Sequence, residues 1–147
     1  MATKPVPAEP ANAQNFPGVT APVLILLRLE GLAAAMLSAV LYARTGASWW
    51  LFAAVWLAPD LSMLAYLAGP DWGAKIYNAI HCYVTPATLA LSALAFSSPT
   101  LVPIALIWIN HIGVDRLLGY GLKYPAGFGW THMGRTGKRR VEAVQAG

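Results

Sequence analysis

The stretch LVPIALIWINHIGVDRLL, residues 101–118, decides how the chain must be read. It is apolar or neutral except at His111, Asp115 and Arg116. As a helix it comes close to the roughly 20 residues that cross about 30 Å of bilayer hydrocarbon at 1.5 Å per residue. Three more stretches of this kind precede it, at residues 22–42, 49–67 and 76–96. Together they predict an all-α integral membrane four-helix bundle with both termini on the same side.

Composition points the same way. Hydrophobic residues make up 57% of the 147 residues and charged residues 11%, against roughly 25% charged in soluble domains. The mean hydropathy is +0.52. One domain is expected at this length. The net charge of +4 is small, and the basic residues are not interleaved with aromatics on a soluble face. Nucleic acid is therefore excluded as a partner, and orientation in a bilayer accounts for the basic excess. Cys82 is the one cysteine. It forms no intramolecular disulfide, and beside His81 in an apolar segment it reads as a small packing residue.

Turn chemistry divides the spans. Residues 1–20, rich in Ala, Pro and Asn, read as a disordered arm without the ordered parts of a secretory signal. Residues 44–48, 68–73 and 97–100 carry the Gly, Pro and Ser of short connections. Trp49 and Trp50 suit an interfacial belt. Residues 119–147 form a Gly- and aromatic-rich interfacial segment, with Tyr120, Tyr124, Phe128 and Trp130, and then a basic tail at Lys138, Arg139 and Arg140. Short connections force alternating helix directions. Lys4, Lys75, Arg116, Lys123, Arg135 and the three tail residues then share one side, and Arg44 stands on the other. The positive-inside rule makes the crowded side cytoplasmic. The expected location is a bacterial inner membrane, with multiple spans and cytoplasmic N- and C-termini.

Within these spans lie Glu30, Asp60, His81, His111 and Asp115. A charge at the centre of a bilayer costs roughly 2.5–3.5 kcal/mol on insertion scales, so such residues mark a use or a partner. Counted from the cytoplasmic helix ends, Glu30 lies about 12 Å deep, Asp60 and His111 about 10 Å, His81 about 8 Å and Asp115 about 5 Å. Four helices thus contribute to one layer. His111 and Asp115 are four apart and stack on one helix face. His81, Thr85, Thr88 and Ser92 predict a polar stripe on the third helix. Gly31, Ala34, Ala35 and Ser38 permit close approach of a neighbour to the first, and Pro59 predicts a kink beside Asp60.

Two imidazoles and several carboxylates suit zinc, manganese or iron. Asp60, His81, His111 and Asp115 are the expected metal ligands. The alternative is a set of structural ion pairs, with Arg28 free to meet Asp60 or Asp115 and Arg116 to meet Asp115, together with histidines bonded to carbonyls. His132 would cap the site as an acid or further ligand if the Gly-rich segment folds back under the bundle. Lys123, Arg135 and Lys138 could bind a headgroup or phosphate.

Several runs together carry a resemblance. They are Arg28-Leu29-Glu30-Gly31, Pro59-Asp60-Leu61-Ser62-Met63 and Tyr77-Asn78-x-x-His81 with Pro86, then Trp108-x-x-His111-Ile112-Gly113-x-Asp115-Arg116-x-x-Gly119-Tyr120-Gly121-Leu122-Lys123-Tyr124, and finally Phe128-x-x-Thr131-His132-x-Gly134-Arg135-x-Gly137-Lys138. This pattern resembles a family of small bacterial membrane proteins known only as a domain of unknown function, the DUF4260 type. The resemblance implies a four-helix membrane protein and no particular activity. A looser similarity of layout links the chain to inner-membrane metal-dependent hydrolases.

The leading expectation is a metal-dependent hydrolase of an amphiphilic substrate, with the bilayer as its surroundings and a lipid or similar amphiphile as substrate. The four ligands would hold the metal and Glu30 would be the general base. A haem protein with His81 and His111 as axial ligands is a second reading. A proton-conducting subunit and a non-catalytic accessory or assembly subunit are the others.

Overall fold

In the computed structural model, which describes residues 19–136, the chain is an all-α bundle closed at one end by a small hairpin. The predicted N-terminal arm, up to residue 18, and the basic tail from residue 137 lie outside the described residues. Helix α1 runs Ala21–Thr45, with proline in its first turn and Gly46 ending it in the left-handed conformation at φ 73°. Ser48 caps α2, Trp49–Val55, through a 3.2 Å bond from the Trp50 N–H.

Pro59 then changes the helix type. It has no N–H to give, and its ring crowds the carbonyl four residues back, so α geometry cannot continue. The chain proceeds as a 3-10 helix, Ala58–Ala68, in place of the kinked α-helix expected. Asp60 stands in its first turn, its N–H bonded to the Leu57 carbonyl.

The third stretch is broken, which corrects the expected count of four helices to five α-helices plus the 3-10 segment among the described residues. Helix α3, Pro70–Ile80, starts within the predicted turn, and α4 occupies Val84–Ala95. Pro86, in the first turn of α4, explains the interruption: an unbroken helix would drive its ring into the carbonyl of residue 82. The Thr85 hydroxyl donates instead to the Ala79 carbonyl that the break leaves free. The predicted polar stripe does not face inward either. Thr88 is exposed, and Thr88 and Ser92 each bond a carbonyl of their own helix at 2.8 Å.

Helix α5, Leu101–Leu118, is the spine of the bundle. It packs chiefly against α1, secondarily against α4, and buries Ala105, Ile107 and Ile112 completely. Gly31 and Gly113 bring α1 and α5 into backbone contact. A Cβ at Gly31 would lie 2.6 Å from Arg116 Cβ, and one at Gly113 would lie 2.7 Å from the Ala35 nitrogen. Gly31, Ala35, Ser38 and Tyr42 form the buried stripe of α1. The start of α1 and the end of α5 therefore lie together.

Helices Ala21–Thr45, Trp49–Ala68 and Leu101–Leu118 are long and apolar enough to cross a bilayer, and α4 is a shorter apolar helix. The protein is an integral membrane bundle. After Gly119 (φ 94°) the chain turns back and forms a two-residue hairpin, Trp130–Thr131 against Gly134–Arg135.

Candidate metal centre

Asp60 comes from the first turn of the 3-10 helix, His81 from the break after α3, and His111 and Asp115 from successive turns of α5. One ligand atom from each lies within 4.8 Å of all the others. The two histidine Nε2 atoms are 3.3 Å apart. Asp60 Oδ1 is 3.4 Å from His81 Nε2 and 3.5 Å from His111 Nε2, and Asp115 Oδ2 is 3.8 and 3.7 Å from them. An ion with bonds of about 2.0–2.2 Å separates tetrahedral ligands by roughly 3.3–3.6 Å. The five edges that involve a histidine Nε2, 3.3–3.8 Å, are close to those lengths, and the two carboxylate oxygens lie within 4.8 Å of each other.

The surroundings orient the rings. His81 is fully buried, its Nδ1 3.1 Å from the Tyr77 carbonyl and 3.5 Å from Ser62 Oγ. Donation to Tyr77 places the proton on Nδ1 and aims the Nε2 lone pair into the centre, the usual outer support of a metal-bound imidazole. The Tyr77 ring stacks on His81 at 3.8 Å between centroids. Trp56 meets His111 edge-on at 5.0 Å. Trp56 Nε1 donates to Asn110 Oδ1 at 2.9 Å, and Asn110 Nδ2 donates to the Ala35 carbonyl at 2.8 Å, which fixes that wall to α1. His111 Nδ1 is buried without a hydrogen-bond partner among the described residues. Two facing Nε2 atoms with two carboxylates around them bring four ligand atoms and two negative charges to one point. A metal cation, or a proton on one imidazole, offsets that charge.

Of the structural alternative, the histidine–carbonyl bond is present at His81, whereas among the described residues no arginine pairs with Asp60 or Asp115. Arg116 donates to the Tyr120 carbonyl at 2.6 Å and to the His81 carbonyl at 2.8 Å. The latter is a carbonyl orphaned by the α3 break, so Arg116 supports the ligand's backbone. Arg28 packs by Gly119 with its Nε unbonded, and among the described residues no ion pair joins it to either carboxylate. The haem reading loses its geometric basis too. Axial histidines need a macrocycle between them, whereas here the two carboxylates crowd the 3.3 Å gap.

Glu30 and His132 stand outside the four. Glu30 is exposed on α1, since its neighbour Gly31 takes the face against α5. His132 lies in the returning segment, where Nδ1 accepts from the Leu122 N–H at 2.8 Å and its own N–H returns to the Leu122 carbonyl at 3.0 Å. Burial, aided by the Arg116 charge, holds its pKa below the ordinary imidazole value.

The returning segment docks on α3 through Asn78. Its amide receives the Lys123 N–H at 2.7 Å and donates to the Lys123 carbonyl at 2.8 Å. Lys123 Nζ is thereby buried among aromatic rings, 3.0 Å from the Phe128 centroid and 4.6 Å from that of Tyr77. Burial pushes its pKa down to about 8, against the opposing pull of Asp115 and Asp60. The sequence reading missed this arrangement and the roles of Tyr77, Asn78 and Trp56. The i, i+4 spacing of Tyr77 and His81 was the signal available for the first.

No curated protein and no solved structure matches the chain, so the looser likeness to inner-membrane metal-dependent hydrolases has no support there. The family described as Domain of unknown function (DUF4260) matches residues 24–136, which include all four centre residues as well as Glu30, Lys123 and His132. The chain belongs to the DUF4260 family.

Proposed function

We propose that this protein is a membrane-embedded hydrolase that uses one divalent ion, zinc, manganese or iron, to act on an amphiphilic substrate from the cytoplasmic side of a bacterial inner membrane. The observation that carries the reading is the convergence of His81 Nε2, His111 Nε2, Asp60 Oδ1 and Asp115 Oδ2 within 4.8 Å of one another, with every edge to a histidine nitrogen at 3.3–3.8 Å. A divalent ion held there would polarise a bound water or a substrate carbonyl. Catalytic zinc sites commonly keep three protein ligands and one exchangeable position. Asp60 is the ligand best placed to yield that position, because its side chain is 31% exposed against 15% for Asp115. Its carboxylate would then accept the proton of the attacking water. Glu30, the base expected from sequence, would need substrate to reach the outer face of α1. The eight-to-one distribution of basic residues supports the cytoplasmic orientation.

The test is elemental analysis of full-length protein purified without chelator, followed by stripping and reloading. The expected result is one ion per chain, whose removal abolishes turnover of acyl ester or amide amphiphiles. Protein that never retains an ion at stoichiometric level overturns the reading.

A further inference from the structure

The returning segment is closed on itself at one titratable group, His132. Its Nδ1 accepts from the Leu122 N–H at 2.8 Å, while the His132 N–H returns to the Leu122 carbonyl at 3.0 Å. Accepting that bond requires an Nδ1 without a proton, so the ring is neutral and protonated on Nε2. Its neighbours hold it there. Thr131 and Met133 on either side are buried. The backbone at Gly121 approaches so closely that a Cβ would lie 2.7 Å from Nδ1.

This arrangement has no place for a second proton. A proton on Nδ1 would face the Leu122 N–H, donor against donor, and leave both unbonded. The charge would also join that of Arg116, which reaches from the Tyr120 carbonyl to the His81 carbonyl and already disfavours an imidazolium at His132. Among the described residues no carboxylate pairs with His132. The other cations near the segment are engaged with rings. Lys123 lies against Phe128 and Tyr77, Arg135 over Trp130 at 4.3 Å, and Lys75 of α3 over Trp72 at 5.4 Å. Burial and Arg116 together hold the His132 pKa below the ordinary 6.5.

Release at Leu122 would spread to α3. The next residue, Lys123, pairs with Thr131 and makes both bonds to Asn78. Its ammonium lies over the ring of Tyr77, whose carbonyl and ring orient His81.

We propose that His132 is a pH-operated latch on the returning segment. Neutral, it keeps the segment docked on Asn78 and Tyr77; protonated, it gives up the Leu122 N–H and the segment loosens. Between the docked pKa and 6.5 the released segment binds more protons than the docked one, so docking weakens as pH falls through that window. Control of the centre by this latch rests on the metal reading, because it passes through the support of His81. The latch itself does not.

The experiment follows amide hydrogen exchange of the full chain in nanodiscs from about pH 7.5 to about pH 5, with each rate divided by its intrinsic rate at that pH. Protection at Leu122, Lys123 and His132 should fall about tenfold or more, while Ile107 and Ile112 of α5 keep theirs. His132→Asn puts a non-titrating acceptor oxygen where Nδ1 stands, so its protection should stay constant over the range. Constant protection in the wild type, or an equal fall in His132→Asn, overturns the latch. Should His132→Asn fail to fold, nitrogen NMR of the wild-type histidines decides. A His132 midpoint below 6.5 that coincides with the loss of protection upholds the latch, and a midpoint elsewhere overturns it. The measurement is repeated on chelator-stripped and on zinc-loaded protein. A pH-dependent fall in protein that binds no zinc upholds the latch while the metal reading fails. Zinc-loaded protein whose segment stays protected to the acid limit rejects the latch and leaves the metal reading standing. On acidification the wild type should release zinc at a higher pH than His132→Asn, and coincident release curves overturn the control of the centre.

Discussion

His81 and His111 face each other through Nε2 atoms 3.3 Å apart, although thirty positions separate them in the chain. Neither ring can move away. His81 is pinned between the Tyr77 carbonyl and the Tyr77 ring, and its backbone carbonyl is held by Arg116. His111 is fixed by α5 and by Trp56. Such a pair, flanked by Asp60 and Asp115, is stable when something positive sits between the four.

Loss of either imidazole should therefore be felt first in metal content. His81→Ala and His111→Ala are each expected to weaken zinc binding more than tenfold, since outer-shell losses alone cost 10–100-fold. Cys82→Ser should leave the content unchanged, because Sγ bonds to Ala79 and Thr85 and is not one of the four converging ligand atoms. Competition with a fluorescent chelator measures both.

The carboxylates should divide by exposure. Asp115→Asn is expected to lower metal affinity by removing an anionic ligand. Asp60→Asn should keep more of the metal yet lose turnover. Glu30→Gln should retain both metal and fold, as Glu30 is exposed and outside the cluster. Turnover by Glu30→Gln at the wild-type rate would remove Glu30 from the mechanism. Its complete loss of turnover with metal retained would restore Glu30 as the base and exclude Asp60.

Orientation can be read by labelling in a Cys82→Ser background. Thr100→Cys, in the exposed connection before α5, should react with an impermeant maleimide added to intact cells. Ala126→Cys, exposed in the returning segment, should react only after permeabilisation. The reverse pattern would place the centre near the outer face.

The α1–α5 contact leaves no room for a methyl group. Gly113→Ala would put its Cβ 2.7 Å from the Ala35 nitrogen and 2.8 Å from the Gly31 carbonyl. Overpacking of this kind costs roughly 1–3 kcal/mol. A lowered Tm is expected, together with weaker metal binding, since residue 113 is two positions from His111.

Lys123 supplies a pH dependence. Its folded pKa of about 8 lies below the ordinary 10.5. Between those values the unfolded chain binds more protons than the folded one, so this contribution to stability rises with pH across that window. Below about pH 8 the penalty is fully present. Lys123→Met should accordingly raise Tm at pH 7, with a gain that shrinks toward pH 10. Lysine-selective nitrogen NMR should find a midpoint near pH 8. A midpoint above 10 would show the ammonium to be in water.

The membrane class, the α-helical architecture and the four-residue centre were legible in residue order. Apolar length dictates a spanning helix wherever backbone groups must bond internally, and charges at equal depth in such helices can be counted along a 1.5 Å rise. The breaks are half legible: Pro59 predicts a kink, whereas Pro86 lies in a stretch, residues 76–96, whose length and overall hydropathy suit one continuous span. Which side chains face the centre was settled only by tertiary packing. Glu30 shares the depth of the other four, but depth is a coordinate along the helix, and facing is a rotation about it. Gly31 and Gly113 set that rotation for α1, turning Glu30 outward while His111 and Asp115 face in. The enclosure of Lys123 was likewise beyond sequence, because it depends on a segment without helical periodicity folding back onto Asn78. Periodic helices announce themselves locally, whereas rotations and returning loops are chosen by contacts between residues far apart in the chain.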